Sequence, residues 1–470
     1  MAIFFTEGEV KNRPGVYQRH VNTRHVKQSP ANDGICAIPI QAAWGPLGKV
    51  LKNANTTDLK NNYGSGTYGP GFTVPAAAVM FDAGASTVYT YRMGSGGKQA
   101  SLTVDGMTIT AKYPGTMPVS VAVQQKLGDA TKKQFLVYAG TTLVETVEFA
   151  ADATAEGANL IAATAESKYV TVTGEAATVA VLPVASGALT GGENPTVTNE
   201  DYSKAFNALE TSYYNTIALD VDDDEDMTLS LLLQEYLNGA YQYGKLGVAV
   251  VGEKTTVAFE KRLEHAAMFN DKKVVYLGGG YMAGTVNKDG ALSICRAAAD
   301  IAKTPTTQGI THAVIEEATD LCETLSYAQY VAAIQAGALM LSKSSDGAIW
   351  YDSGINTLTN PEPGTEDNGW KKIRRVKIRF ELFDRLDRAL NPKVGRVSAD
   401  SDGIADIIQT GQRVLDAMVT EGKLLAGATF TEDTDNPPSG DSAYFIIQAD
   451  DIDSLEMIYL QYQFRYSQNS

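Results

Sequence analysis

The feature that most constrains this chain is an alternation running from residue 199 to residue 303. Short, unbroken apolar runs, KLGVAVVG and KKVVYLGGG, are separated by segments whose apolar residues recur at helical spacing, such as NEDYSKAFNALET and GALSICRAAADIAK. An apolar run of this length reads as a buried strand. Strands of that kind alternating with helices require an open sheet with helices packed against it. Upstream, GICAIPI and STVYTYR read as further strands, and residues 53–63 and 75–83 as helices. DDDEDMTLSLLLQEYLNGAYQYG reads as containing a helix with acids in its first turn and Gly beyond its end, as the helix dipole favours.

Between two glycine-rich joints, GSGG at 94–97 and GALTGGENP at 187–195, the pattern changes. SLTVDGMTITAKY, PVSVAVQQ, QFLVYAG, TLVETVEF, YVTVTG and ATVAVLP alternate at period two, with turn signals such as Asp105–Gly106 between them. Several short alternating strands predict a small antiparallel β-domain, and flexible joints at both ends mark it as an insertion into a host domain. The predicted organisation is an arm at 1–30, an α/β core of 31–93 plus 199–350, an inserted β-domain at 94–198, a C-terminal α/β region at 351–440, and terminal strands and an arm at 441–470. Within this scheme residues 326–342 read as a helix and 371–390 as a basic strand leading into a helix.

The two ends differ from the rest. Residues 1–30 are polar and broken by Gly8, Pro14, Gly15 and Pro30, so they bury little by themselves. At the other end Ile458, Leu460, Tyr462 and Phe464 share one face of an extended segment, and Tyr459, Gln461, Gln463 and Arg465 the other. Burying each apolar group of that face stabilises by about 1.5–3 kcal/mol. Ordering the backbone costs roughly 1–2 kcal/mol per residue. These nearly cancel, so the segment needs a sheet edge to receive it, either in its own domain or on another chain.

Charge excludes several functions. The net charge is −16, whereas phosphate binding needs clustered Lys and Arg, so nucleic acid and anionic membrane are not expected partners. The one dense basic run is Lys371, Lys372, Arg374, Arg375, Lys377 and Arg379. It reads equally as a contact to an acidic neighbour or as a salt-bridged edge within the chain. The cysteines, Cys36, Cys295 and Cys322, show neither a disulfide framework nor zinc spacing. The opening residues lack the pattern of a secretory signal, and no stretch approaches the ~18 apolar residues of a membrane span. Gly278, Gly280 and Ala283, with Asp300 downstream, loosely fit a dinucleotide fingerprint, but TVNKDG does not open a helix at the glycines. Asp222, Asp223, Asp224, Glu225 and Asp226 lack EF-hand spacing. His20, His25, His265 and His312 have no metal-binding partners in sequence. Glu316, Glu317 and Asp320 are acids on one short stretch with no nucleophile motif beside them. No catalytic, cofactor-binding or metal residues are therefore expected.

Several segments in the same order resemble the contractile phage tail sheath family, of the Gram-positive phage and defective-prophage type. They are RPGVY (13–17), WGP (44–46), LTGGENPTVTNEDYSKAFNALE (189–210), DGALSICRAAADIA (289–302), GINTLT (354–359), the basic run 371–390 and SLEMIYLQYQF (454–464). The resemblance implies a multidomain α/β (α+β) subunit with a mixed-sheet core, an inserted antiparallel β-domain and extended terminal arms. It implies polymerisation into a six-fold helical sleeve of stacked hexameric rings around an inner tail tube, ended by baseplate and tail terminator proteins. Such a sleeve is assembled in the host cytoplasm, becomes part of the virion tail, and shortens to drive the tube through an envelope. Val16, Tyr17, Ile458, Leu460, Tyr462 and Phe464 are then the expected strand-exchange residues. The basic run becomes a candidate contact to the tube or a neighbour. The competing readings are another virion component, such as a tube or capsid protein, and an α/β enzyme with an inserted β-domain.

Overall fold

In a computed structural model of the chain, the described residues are 3–4, 17–18, 33–64, 72–152 and 154–464. The chain divides into two units, Met1–Asn32 and Asp33–Ser470. In the first, Ile3–Phe4 pairs in parallel with Tyr17–Gln18, Ile3 opposite Tyr17. Val16 lies outside the described residues.

The second unit is built on a seven-stranded sheet. Its strands in chain order are β1 (Ile35–Ile40), β2 (Val50–Asn53), β3 (Thr87–Arg92), β4 (Thr216–Ala218), β5 (Val248–Gly252), β6 (Val274–Leu277) and β7 (Ala338–Leu339). Their spatial order is β7-β6-β5-β4-β1-β3-β2. All neighbours are parallel except β2, which runs antiparallel to β3. Successive side chains of a strand point to opposite faces, and here both faces are covered. Cys36, Ile38, Ile40, Val248, Val250, Val275 and Leu277 meet the helices Thr56–Tyr63, Val74–Asp82, Ala291–Lys303 and Ile373–Leu390. Ala37, Ala249, Val251, Val274 and Tyr276 meet Asn199–Leu209, Thr228–Gln242, Phe259–Phe269 and Tyr327–Ala336. Double coverage is why the strand sequences read as unbroken apolar runs.

The inserted region holds two three-stranded antiparallel sheets. One has the order Thr142–Ala150, Lys132–Ala139, Val119–Gln125; the other Val170–Gly174, Met107–Ala111, Ser101–Val104. The turn at Asp105–Gly106 has positive φ at both residues (50° and 79°), the mirror-image turn that suits the twist of paired strands. Two details differ from the sequence reading. Residues 177–183 form no strand: Leu182 makes an isolated bridge to Val123, and the Val179 carbonyl accepts from Lys133. Glu156–Ala163 is a helix, because Leu160 supplies one apolar anchor to the sandwich core while the strand pattern lapses there. The two legs of the insertion pair with each other at Ser95–Thr196, Lys98–Glu193 and Ser101–Thr190.

Arg92, the last residue of β3, fastens the insertion to the sheet. Its side chain is fully buried. It donates to the carbonyls of Ala42 (2.9 Å), Gly45 (2.6 Å) and Pro114 (2.7 Å). Trp44 enters the sandwich core, edge-on to Tyr113 at 5.1 Å and stacked on Tyr169 at 5.9 Å. Gly115 is required at this junction: a Cβ there would lie 2.0 Å from the Ala43 carbonyl oxygen, and φ is +146°.

Two further expectations are corrected. The helix expected over 326–342 ends at Ala336, because Gly337 is left-handed (φ 77°) and lies against the Thr357 backbone; the chain then joins the sheet as β7. The basic segment holds no strand before its helix. Asn368–Lys371 is a 3-10 turn, Lys372 makes a lone bridge to Ile355, and the helix runs Ile373–Leu390. That helix joins two cores. Ile373, Val376 and Phe380 face the sheet. Ile378, Leu382 and Leu386 pack with Val414, Leu415 and Met418 of Ser401–Thr420, and with Phe430 of the hairpin Thr429–Glu432/Phe445–Gln448.

Candidate inter-subunit surface

The basic helix holds the root of the C-terminal segment. Arg375 forks onto Asp451, Nε to Oδ2 at 2.6 Å and Nη2 to Oδ1 at 2.8 Å. Arg379 donates to the same carboxylate at 3.0 Å and to Asp367 at 2.9 Å, with its guanidinium 4.4 Å from the Trp370 ring centre. Lys372 pairs with Glu456, whose other oxygen accepts from Thr311 at 2.8 Å. Arg374 donates to Ser454 (3.0 Å) and to the Thr306 carbonyl (3.1 Å). Arg375 and Arg379 are spaced i, i+4, so they stand on one helix face, and Lys372 caps the start of the same helix. The backbone joins in: Leu425 donates to the Asp450 carbonyl and Ile452 to the Lys423 carbonyl. Burial alone raises the Asp451 pKa, but the hydrogen bonds from Arg375 and Arg379 win and hold its carboxyl below the usual range.

Lys377 points the other way. It donates to the Ile301 carbonyl at 2.6 Å and to the Thr304 carbonyl, at the C-terminal end of helix Ala291–Lys303. Burial pulls its ammonium down to about 8. The basic run is thus engaged within its own chain. Among the described residues Lys371 is its one member without an ion pair or side-chain hydrogen bond.

Beyond Glu456 the anchorage ends. Residues 457–464 carry no regular structure, and Ile458, Leu460, Tyr462 and Phe464 are 69–94 % exposed. The rings of Tyr462 and Phe464 lie 6.3 Å apart and nearly parallel. Residues two apart on one face are the signature of extended backbone. The second strand of the C-terminal hairpin exposes Ile446 and Ile447, and Tyr444 just before it is exposed as well. Among the described residues, none pairs as a strand with 457–464.

The places where an α/β protein would hold a small ligand are occupied by the chain itself. Strand order reverses between β1 and β4, and open sheets of this kind bind ligands at that switch point. Here Thr73 closes the crevice. Its amide donates to the Gln41 carbonyl, and its hydroxyl accepts from the Gln41 amide and donates to Asp220 at 2.5 Å. Tyr202 donates to the other Asp220 oxygen at 2.8 Å. Burial, opposed by the hydrogen bonds from Thr73 and Tyr202, pushes the Asp220 carboxyl up to about 6.

After Gly278–Gly280 comes the hairpin Tyr281–Ala283/Val286–Lys288 rather than a helix, and Asp289 fills the space a Cβ at Gly280 would need. The acidic run does not form the helix's first turn, as expected from the sequence, but precedes a helix that begins at Thr228: Asp223 accepts from the amides of Leu229 and Ser230, and Asp224 from that of Thr228. Asp222 accepts from the Ala291 amide and pairs with Lys254 at 2.5 Å. Buried His265 sits 2.6 Å from Glu253, His312 stacks on Trp350 at 4.1 Å, and His20 and His25 lie outside the described residues. Glu317 pairs with Arg296 and accepts from Tyr281, and Asp320 pairs with Lys343 at 3.1 Å. Among the described residues no group of three or more His, Cys, Asp or Glu could hold a metal ion.

Sequence reasoning missed Asp451, Ser454 and Glu456 as partners of the basic run. A signal was present: acids immediately before an apolar run, in a chain with a single dense cationic stretch.

A doubly wound body, a β-sandwich on a two-legged stalk and an unpaired apolar chain end describe a subunit made for assembly. Comparison with known proteins names the family. Residues 95–194 match the phage tail sheath protein beta-sandwich domain and residues 196–356 the phage tail sheath protein central domain, together more than half of the chain. The chain belongs to the phage tail sheath protein family. It is 24% identical to the phage-like element PBSX protein XkdK of Bacillus subtilis, over 89% of this chain and 88% of that protein. It is 28% identical to the uncharacterized protein YqbK of the same organism, over 47% of this chain; that match spans about half (49%) of YqbK. The fold is similar to the sheath tail protein of Desulfitobacterium hafniense, with TM-score 0.71 and 19% identity over 93% of this chain and 100% of that one. It is also similar to the helical sheath of the anti-feeding prophage in its contracted state, with TM-score 0.57 and 11% identity over 97% and 99% of the two chains.

Proposed function

We propose that copies of this chain polymerise into a six-fold helical sleeve around an inner tail tube, and that the sleeve shortens to drive the tube through a cell envelope. The observation that carries this reading is the chain end. An apolar segment with strand periodicity follows a bolted root and, among the described residues, pairs with no strand. Ile458, Leu460, Tyr462 and Phe464 would pair with the sheet of an adjacent copy, and backbone pairing would supply what burial alone does not. The exposed edge of the Phe445–Gln448 hairpin suits the receiving side. Val16 and Tyr17 are assigned to the exchange at the other chain end. Lys371 is left as the member of the basic run for a contact to the tube or a neighbour.

Movement comes from rigid bodies re-docking while the paired arms hold, as in other domain-scale switches. The contracted anti-feeding prophage sheath, similar in fold, supports such a shortening. The partners are further copies, the tube, and the baseplate and terminator proteins that end the sleeve. Assembly takes place in the host cytoplasm, and the work is structural rather than catalytic.

Deleting residues 457–470 tests the reading. The truncated chain is expected to unfold at the same temperature as the full chain and to form no sleeves by electron microscopy. Normal sleeves from the truncated chain would overturn it.

A further inference from the structure

We propose that residues 450–456 form an ionic clamp that fixes where the C-terminal tail departs and how far it reaches, so that opening the clamp lengthens the tether between copies. This rests on the assignment of the tail to strand exchange.

Three observations support the clamp. Two carboxylates and a hydroxyl, on Asp451, Glu456 and Ser454, meet four cationic side chains, Lys372 at the cap of one helix and Arg374, Arg375 and Arg379 within it. The backbone of the same stretch is tied at both sides of Asp451, through Asp450 and Ile452 to residues 423–425. Anchorage then stops within one residue: Glu456 is largely buried, and Met457 is 70 % exposed. A segment held only for sheet stability would not need its charges matched to the one basic face of an acidic chain.

The geometry turns this into a length. Residues 457–470, fourteen in number, span about 46 Å when extended at ~3.3 Å per residue. Freeing 450–456 adds seven residues, or about 23 Å on the same rise. The clamp also decides where tension goes. Force on the tail enters the helix Ile373–Leu390, which is embedded in both the sheet core and the C-terminal core. The Asp451 side chain is 6 % exposed and held by a fork, whereas that of Glu456 is 15 % exposed and held by one amine and the Thr311 hydroxyl. Opening from the tail side therefore begins at Glu456 and stops at Asp451 until the fork breaks.

The test is charge reversal in the full chain. Glu456→Lys, with Lys372→Glu/Glu456→Lys as the swapped pair, is compared with the wild type in two measurements. The first is hydrogen exchange at the amides of Leu425 and Ile452; the second is the salt concentration at which assembled sleeves fall apart. Glu456→Lys is expected to speed exchange at Ile452 at least tenfold and to dissolve sleeves at lower salt, with the swapped pair recovering both. Unchanged exchange and unchanged sleeve resistance in Glu456→Lys would overturn the clamp, as would a swapped pair no better than the single variant. Loss of strand exchange itself reads differently, because the chain truncated at 457 keeps the clamp's exchange protection while failing to assemble.

Discussion

Removing the Arg92 side chain should separate the inserted sandwich from the body while leaving each part folded. Arg92 is fully buried and donates to three backbone carbonyls, two in the 42–45 turn and one at Pro114 in the insertion. Burial pulls the guanidinium down to about 10, since Tyr63 only partly offsets the lost solvent. That shift is worth about 3 kcal/mol against the charged form. Hydrogen bonds from a charged donor return about 1.5–3 kcal/mol each, so the intact site is favourable by a small margin. The Arg92→Ala variant changes the balance. The burial cost disappears, but three buried carbonyls lose their donor at about 1–3 kcal/mol each, and a cavity opens beneath Trp44. The expected loss is on the order of 3–5 kcal/mol. Arg92→Lys, with a single nitrogen unable to span three acceptors, should fall between. Urea unfolding is followed by fluorescence with Trp44 as the sole tryptophan, in a Trp350→Phe/Trp370→Phe background. The Trp44 transition should move to lower urea, with limited proteolysis cutting first in the legs near 95 and 196. A shift smaller than about 1 kcal/mol would refute the argument, since unsatisfied buried carbonyls cannot be that cheap.

Asp220→Asn should flatten the pH dependence of stability between about pH 4 and pH 6. The folded carboxyl titrates at about 6 against 3.8 unfolded, so its contribution is fully present below 3.8 and is lost as pH rises through 6. Thermal melts across that window check this, and parallel curves for variant and wild type would contradict it. Gly411→Ala should destabilise the C-terminal core by about 1–2 kcal/mol, because the new Cβ would lie 2.4 Å from the Phe430 ring and overpacking outweighs the better helix propensity. A gain of about 1 kcal/mol in chemical unfolding, as propensity alone predicts, would count against it.

Which features could be read in advance follows from how far apart in the chain their causes lie. Unbroken apolar runs such as Val248–Gly252 and Val274–Leu277 announce buried strands, and the switch to period two after residue 100 announces an antiparallel sandwich. The mixed α/β class was therefore legible. Boundaries set by tertiary contact were not. Helix Tyr327–Ala336 stops where Gly337 meets the Thr357 backbone, twenty residues on, and nothing local marks that stop as stronger than the apolar residues following it. The strand expected before the basic helix failed because its alternation of charged and apolar residues also fits a helix with one face on the sheet core and another on the C-terminal core.

The sequence alone determined the α/β body, the β-rich stretch between glycine-rich joints and the period-two apolar face of Ile458, Leu460, Tyr462 and Phe464, because each is a matter of periodicity among neighbouring residues. Only the tertiary structure decided that Asp220 plugs the sheet's crevice, that Arg92 bolts the insertion to the body, and that the basic run grips Asp451 and Glu456. A charge or a carbonyl carries no pattern that identifies a partner 22 to 147 residues away. That pairing exists only once packing has brought the two together and removed the water between them.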